Sequence, residues 1–126
     1  MARKAFTSEK ACVVGPYSHA VRAGKLLFLS GQTPLDPANG KILEGDVRAQ
    51  TGQCFQNLFA VLKEAGLTPD QVVKVNVFLT DMNDFAAMNE VYAAHFAQPF
   101  PARTTIGVAA LPLGARIEIE LIARRD

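Results

Sequence analysis

Apolar and charged side chains alternate in residues 117–121, which read IEIEL, and no other feature restricts the fold of this chain as strongly. Successive side chains of a β-strand point to opposite sides, so the three apolar residues share one face while Glu118 and Glu120 share the other. A strand of this kind needs an apolar layer against one side only. The pattern therefore predicts a sheet with one covered face, and it leaves open whether the glutamates are merely solvated or take part in chemistry.

Two helices are predicted between the strands. Apolar residues recur at helical spacing after Asp46, which is suited to cap a helix N-terminus, and the pattern ends before Gly66. A second helix is predicted to begin near Asp81 or Asn83 and to end before Pro99.

The remaining apolar segments predict strands. Three precede the first helix, around KAFT, YSHAVRA and GKLLFLSG, and a fourth, QVVKVNVFLT, places Val73, Val75, Val77 and Leu79 on one face. After the second helix, ARTTIGVAAL and ARIEIELIARR are predicted to pair as a hairpin through PLG, whereas TPLDPANGKILEGD is predicted to be a loop. The order β-β-β-α-β-α-β-β predicts an α+β fold, a mixed β-sheet with two helices packed on one face.

Length and charge limit the classes of protein that fit. We expect residues 1–126 to form a single domain, because this length suits one core and is short for two. A formal net charge of +1 gives no electrostatic reason to expect nucleic acid or an anionic membrane as a partner. No apolar run approaches the roughly 18 residues of a membrane helix, and MARKAFTSEK is not followed by the apolar region of a secretory signal.

Cysteine and histidine usage narrows the chemistry. Cys12 and Cys54 lack the spacing of a metal motif, and two thiols without a secretory signal predict a reducing, cytoplasmic location. His19 and His95 are far apart in the sequence. We therefore expect neither a metal site nor a Ser-His-Asp triad.

Asn89 and Arg103 do not fit a purely structural interpretation. Asn89 lies among aromatic residues on one stripe of the second helix, where an unpaired buried amide would cost about 1–3 kcal/mol. Arg103 shares a strand face with Thr105, Gly107 and Ala109, whose small side chains leave space beside the cation. The guanidinium could bind a carboxylate there through two parallel hydrogen bonds. The alternatives are a satisfied core amide and an edge arginine that reaches water.

Tyr17 and Ser30 are weaker candidates when each is considered alone. Ser30 ends a predicted strand and Tyr17 follows a Gly-Pro turn signal, positions that are usually structural. If the last two strands pair as a hairpin, Arg103 would lie near a glutamate of the final strand. That pair would form either a salt bridge or an anion-binding group beside a base that activates water.

Five segments together resemble, in order and spacing, the RidA/YjgF family of enamine/imine deaminases: GPYSHAV, LFLSGQTPLDP, VVKVNVFLTDMNDFAAMNEVY, FPARTTIGVAALP and RIEIELIA. The resemblance covers essentially the whole chain. It implies a chorismate-mutase-like α+β fold assembled as a homotrimer, with three sites in clefts between subunits.

The resemblance also implies an activity. It identifies the expected enzyme as a 2-iminobutanoate/2-iminopropanoate deaminase, which hydrolyses reactive 2-iminoacids and 2-enaminoacids such as 2-aminoacrylate and 2-iminobutyrate to 2-ketoacids and ammonia, without a metal or cofactor. By this resemblance, Arg103 binds the substrate carboxylate, and Glu118 orients and deprotonates the attacking water. The other residues of the family pattern would shape and line the pocket: Tyr17, Ser30, Gly31, Asn89 and Thr105.

One position departs from the family pattern, and other functions stay open. Many RidA members carry cysteine where this chain has Thr105, which excludes a thiol reaction at that position. The alternatives are a non-catalytic trimeric binder or sensor of small carboxylate metabolites and a 2-aminomuconate deaminase-like enzyme. A ribonuclease is disfavoured by the near-neutral charge and by the lack of a histidine pair for acid-base chemistry.

Overall fold

The computed structural model describes residues 2–126. Its helices are α1 (Val47–Glu64) and α2 (Phe85–His95). Its strands are β1 (Lys4–Phe6), β2 (Ala20–Ala23), β3 (Leu26–Gln32), β4 (Leu35–Asp36), β5 (Lys41–Ile42), β6 (Val72–Leu79), β7 (Ala102–Gly107) and β8 (Ile117–Arg124). Apart from the short strands β4 and β5, this is the predicted order, and the α+β class is confirmed.

Six strands form one mixed sheet in the order β1-β2-β3-β8-β6-β7. Neighbours are antiparallel except for β6 and β7, which are parallel. The predicted hairpin between β7 and β8 is wrong, because β6 lies between them. A strand followed by a helix and a return to the same sheet makes a parallel crossover, and β6, α2 and β7 form such a unit. The PLG segment is a turn of 3-10 helix that connects two strands that are not neighbours.

The segment predicted to be a loop contains a small second sheet. Leu35 lies opposite Ile42, and Asp36 lies opposite Lys41. The Asp36 side chain accepts a hydrogen bond from the backbone N–H of Ala38 at 2.9 Å, which stabilises the tight connection between the strands. The loop prediction is therefore wrong for β4 and β5.

The helix α1 begins and ends where its capping residues predict. The Asp46 side chain accepts a hydrogen bond from the backbone N–H of Ala49 at 3.0 Å, and a cap of this kind contributes about 1 kcal/mol. Gly66, just past the end, has a φ of 76°, which glycine adopts without steric cost. Cys54 and Leu58 are fully buried on the helix face that meets the sheet.

The alternation in β8 is confirmed. Ile117, Ile119 and Leu121 are buried in the core, whereas Glu118 and Glu120 lie on the opposite face and stay partly accessible. The sheet therefore presents one face to α1 and α2 and the other face away from them.

The prediction for β6 is wrong at one residue. Val75, Val77 and Leu79 are buried, but Val73 is exposed. The register against β8 shifts between Val72 and Lys74, and this bulge moves Val73 out of the alternation.

Apolar side chains also occupy the face that turns away from the helices. Phe28 lies opposite Ile122 in the pairing of β3 with β8, and Ile106 lies opposite Phe78 in the pairing of β7 with β6. Phe28 and Ile106 are both exposed. Within residues 2–126, neither helix is long and apolar enough to cross a membrane.

Candidate active site

A pocket of about 370 Å³ surrounds the Glu118 side chain. We call it the Glu118 pocket, and its lining residues are Val14, Tyr17, Ser30, Gly31, Thr33, Leu35, Pro112, Leu113 and Glu118. Four predicted site residues therefore meet in one place: Tyr17, Ser30, Gly31 and Glu118.

Glycine at position 31 makes room for the Glu118 carboxylate. A Cβ atom built on Gly31 would lie 2.5 Å from Oε2 of Glu118, well inside any real non-bonded contact. The register between β3 and β8 is irregular between Leu29 and Gln32, so Gly31 lies at a bulge. The carboxylate can approach the β3 backbone this closely only because the residue has no side chain.

Ser30 fixes the segment that carries Tyr17. Its hydroxyl donates to the backbone oxygen of Ser18 at 2.6 Å, and its backbone N–H donates to the oxygen of His19 at 2.9 Å. The Tyr17 hydroxyl accepts a hydrogen bond from the Val14 backbone N–H at 3.4 Å. These bonds position the wall of the pocket that faces Glu118.

The pocket changes the acidity of Glu118. Partial burial is the main cause that raises the pKa of this carboxyl above its usual 4.5, and the neighbouring Glu120 charge raises it further. A raised pKa makes a glutamate a stronger base than an ordinary one, which favours its role in accepting and returning a proton.

A second pocket of about 380 Å³ contains Arg103. We call it the Arg103 pocket, and its lining residues are Asn89, Tyr92, Ala93, Phe100, Pro101 and Arg103. Arg103 Nη1 donates to Asn89 Oδ1 at 2.7 Å, so the unusual amide of α2 is paired with the arginine. The guanidinium also lies 4.7 Å from the centre of the Tyr92 ring and 5.6 Å from that of Phe85.

These contacts hold Arg103 in one orientation while no acid neutralises it. Within residues 2–126, the ion pairs join Arg48 to Glu90 and Arg116 to Asp84, and neither includes Arg103. A positioned guanidinium whose charge is uncompensated and that faces a pocket is suited to bind an anion.

Thr105 lies on the same strand face as Arg103, two residues further along β7. Its hydroxyl oxygen is buried and, like the hydroxyl of Tyr92, finds no hydrogen-bond partner among the described residues. Burial raises the pKa of the Tyr92 phenol, and the nearby Arg103 charge opposes that shift. The structure therefore brings Arg103, Asn89 and Thr105 to one side of β7.

The two pockets open on opposite sides of the sheet. Arg103 pairs with Val75, whose side chain is fully buried against the helices, whereas Glu118 pairs with Phe78 on the other face. The expectation that a hairpin brings Arg103 close to a glutamate of the last strand is therefore wrong for a single chain.

Besides Leu35 of β4, three apolar residues of the Glu118 pocket were not predicted as site residues. Val14, Pro112 and Leu113 line the Glu118 pocket, and nothing in their local pattern distinguishes them from surface loop residues. Tyr92, which stacks on Arg103, was predicted only as a member of the aromatic stripe. Its spacing of three residues from Asn89 was the available signal, because such residues are neighbours on a helix.

The cysteines and histidines lie outside both pockets. Cys54 is fully buried, and burial raises the pKa of its thiol well above its usual value. Both ring nitrogens of the buried His19 bond to backbone, with Nδ1 accepting from Ser8 N–H and Nε2 lying 3.1 Å from the oxygen of Cys12. His95 stacks on Phe55. Within the described chain, no three His, Cys, Asp or Glu side chains are grouped to hold a metal ion.

Comparisons with known proteins agree with this fold. The family model described as Endoribonuclease L-PSP matches residues 7–125. A RutC family protein of Pyrococcus horikoshii is 48% identical over 121 residues, which are 96% of each chain. The 2-iminobutanoate/2-iminopropanoate deaminase of Mus musculus is 45% identical over 96% of this chain and 90% of its own. The crystal structure of RidA from a Psychrobacter species matches with a TM-score of 0.93 and 44% identity, covering 98% of this chain and 100% of that one.

One family thus matches this chain along nearly its whole length. The matched protein is a small α+β domain with a glutamate pocket on one face of its sheet and an arginine pocket on the other. The chain belongs to the YjgF/RidA family, which the endoribonuclease model also describes. The predicted resemblance and the RidA-like fold are confirmed.

Proposed function

We propose that this protein is an enamine/imine deaminase that hydrolyses 2-iminoacids, and their 2-enaminoacid tautomers, to 2-ketoacids and ammonia. The observation that carries the proposal is the partly buried carboxylate of Glu118, held against Gly31 in an open pocket with its pKa raised. The positioned guanidinium of Arg103 supplies the second group that the reaction needs, a site for the substrate carboxylate. The relative from Mus musculus carries the name of this activity.

Glu118 would act as a proton carrier. It takes one proton from water while the water oxygen bonds to the imine carbon, and it passes that proton to the nitrogen to give a carbinolamine. It then takes the hydroxyl proton and delivers it to the nitrogen. The carbon–nitrogen bond breaks, its electron pair leaves with ammonia, and the carbon–oxygen double bond of the 2-ketoacid forms. One imine and one water thus give one ketoacid and one ammonia.

Arg103 would orient the substrate through two hydrogen bonds to its carboxylate. Asn89 and Tyr92 hold the guanidinium in place through the contacts described above. Tyr17, Ser30 and Gly31 line the Glu118 pocket, and Thr105 would complete the site from the face of β7 that carries Arg103. Water addition to an imine needs little beyond an oriented substrate and a base, which this set of residues supplies.

A homotrimer with sites between subunits accounts for the position of these groups. Arg103 and Glu118 lie on opposite faces of one sheet, so one small substrate reaches both only if they come from different chains. The uncovered face bears exposed Phe28 and Ile106, and a second copy of the chain would bury them. We also propose that the protein acts in the cytoplasm, where Cys12 and Cys54 would remain the free thiols seen here.

A non-catalytic binder of small carboxylates would use the same Arg103, and turnover separates it from an enzyme. The protein is mixed with 2-iminobutyrate or 2-aminoacrylate made in place by a dehydratase, and ketoacid release is measured above the uncatalysed rate. We expect acceleration that requires Glu118. Binding of 2-oxobutyrate without any acceleration would support the binder and contradict the deaminase.

A further inference from the structure

The turn between β7 and β8 holds Leu113 in an unfavourable backbone conformation. Leu113 has a φ of 60° and a ψ of 20°, in the left-handed region. Leucine rarely adopts this conformation, because its Cβ atom comes too close to the backbone carbonyl oxygen. Among residues 2–126, Leu113 is the one non-glycine residue with a positive φ. Strained backbone of this kind is concentrated at functional sites.

Leu113 is also unusually exposed for an apolar side chain. It is 60% exposed and Val14 is 55% exposed, the two highest values among the large apolar residues of the described chain. Both line the Glu118 pocket. The adjacent Val13 is 46% exposed but does not line that pocket. The two most exposed apolar side chains therefore face the same cavity as the carboxylate.

We propose that Val14 and Leu113 determine specificity by holding the apolar side chain of the substrate between them. This inference rests on the proposed deaminase function. Glu118 must approach the imine carbon, and the carbon chain of the substrate extends from that atom into the remaining space of the pocket. Val14 and Leu113 present apolar side chains to the pocket, so they favour a hydrocarbon chain and disfavour a charged one.

The expected size of the preference follows from apolar burial. Each methylene group that moves from water into contact with these residues should improve kcat/KM by about fourfold. An imine with the branched side chain of leucine should therefore be preferred over 2-iminobutyrate, which is two carbons shorter. The imine derived from glutamate should be the poorest of the three, because its second carboxylate would lose water against apolar walls.

Three variants and one control test this selectivity. Leu113→Asn has nearly the same size and tolerates the left-handed conformation, whereas Leu113→Gly removes both the strain and the side chain. Val14→Ser removes apolar surface at the other residue of the pair, and Val13→Ser is the matched control at an exposed neighbour outside the pocket. An amino acid oxidase with catalase generates the three imines in place, and ketoacid release above the uncatalysed rate gives kcat/KM.

We expect Leu113→Asn, Leu113→Gly and Val14→Ser each to reduce the preference for the leucine-derived imine by about fourfold or more. The loss of kcat/KM should be smaller for 2-iminobutyrate, whose carbon chain is shorter, and Val13→Ser should leave the preference unchanged. Calorimetric binding of 4-methyl-2-oxopentanoate and 2-oxobutyrate gives the same comparison without turnover.

Two results would overturn the assignment. An unchanged preference in Leu113→Asn and Val14→Ser would show that these two residues, and the strained turn at Leu113, have no role in specificity. Dissociation of the oligomer in these variants would make Val14 and Leu113 contacts between subunits instead. A native protein that binds both ketoacids with the expected preference but accelerates no imine would contradict the deaminase function and leave the apolar selectivity intact.

Discussion

Arg103 and Glu118 point to opposite faces of the same sheet, separated by β6. Arg103 pairs with Val75 on the face beneath the helices, and Glu118 pairs with Phe78 on the uncovered face. A substrate of a few carbon atoms cannot span that separation within one chain. If both groups act on one molecule, the second must come from another copy, and the first prediction tests this directly.

Two inactive variants should restore activity when they assemble together. Arg103→Ala chains keep Glu118, and Glu118→Gln chains keep Arg103. In a cyclic trimer assembled at random from equal amounts, about a quarter of the sites combine both intact residues. Co-refolding the two variants should therefore recover about a quarter of the native activity.

The controls for this experiment are the two variants refolded separately, which should stay inactive. Sedimentation of the native protein should show a trimer. A stable monomer, or a co-refolded mixture no more active than its components, would contradict the proposed site between subunits.

Arg103 should dominate binding of the substrate carboxylate. Arg103→Ala removes a charge-assisted contact that contributes about 1.5–3 kcal/mol, so 2-oxobutyrate should bind about 10- to 150-fold more weakly by calorimetry. Arg103→Lys should recover only part of this loss, because an ammonium group cannot reproduce the two parallel bonds of the guanidinium. Unchanged affinity in a folded Arg103→Ala trimer would remove the support for this role.

The sequence predicted the local structure better than the arrangement of the strands. Alternation in β8 and the caps of α1 depend on residues a few positions apart, and both predictions are confirmed. The hairpin prediction failed because a turn signal such as PLG does not determine whether the two strands that it connects are neighbours in the sheet. The helix between β6 and β7 was the better guide, since strand-helix-strand units pair in parallel. The predicted burial of Val73 was wrong for a different reason, because a bulge depends on the pairing with the partner strand.

The residues of the site were predicted by resemblance, and their separation into two pockets was not. Asn89 stood out as an amide among aromatic residues, and it does pair with Arg103. The opposite orientations of Arg103 and Glu118 depend on the order of strands in the sheet, which local patterns do not encode. Val14 and Leu113 have no distinguishing pattern in the sequence, because their proposed role rests on exposure and on one backbone angle.

Gly31→Ala should reduce activity while the protein still folds. The added Cβ would lie 2.5 Å from Oε2 of Glu118, and the end of that side chain can move away at small cost to stability. A displacement of about 1 Å can lower a catalytic rate by about a hundredfold. Gly52→Ala is the matched control, because a Cβ there meets no atom within 4 Å and the residue lies within α1.

In this pair, Gly52→Ala should keep full activity and raise the free energy of unfolding by about 0.5–1 kcal/mol, since alanine favours helix over glycine. Denaturant unfolding and imine turnover are measured for both variants. Full activity in Gly31→Ala would mean that the close approach of Glu118 to β3 has no role in the reaction.

Ionised Glu118 should destabilise the fold. Its pKa is raised in the folded protein, so the stability that its neutral form contributes at low pH is lost as the pH rises through that pKa. Glu118→Gln keeps a neutral group of the same shape. The variant should therefore melt at a higher temperature than the native protein at pH 7, and the difference should shrink as the pH falls below the ordinary glutamate range. A lower melting temperature at pH 7 would indicate that the carboxylate has a stabilising partner.

Substitutions of the two glutamates of β8 should have different effects on the catalytic rate and on its pH dependence. Residues two apart on a strand lie about 6.5–7 Å apart, so one water cannot contact both in the same way. Glu118 lines the pocket, whereas Glu120 pairs with Asn76 and does not line it. A positioned general base contributes about 10²–10⁴ in rate. Glu118→Gln should therefore cost a factor in that range, and Glu120→Gln should cost a few-fold at most.

The pH profile gives Glu120 a specific signature. A general base acts in its ionised form, so kcat/KM should fall as the pH drops through the raised pKa of Glu118. Burial is the larger cause of that raised value and the Glu120 charge is the second. Glu120→Gln removes the second cause, so the acid limb of kcat/KM should move to lower pH while the rate at neutral pH is nearly unchanged. An acid limb that stays in place would show that the two carboxylates are not coupled. A greater loss of rate in Glu120→Gln than in Glu118→Gln would show that Glu120 is the base and that the assignment to Glu118 is wrong.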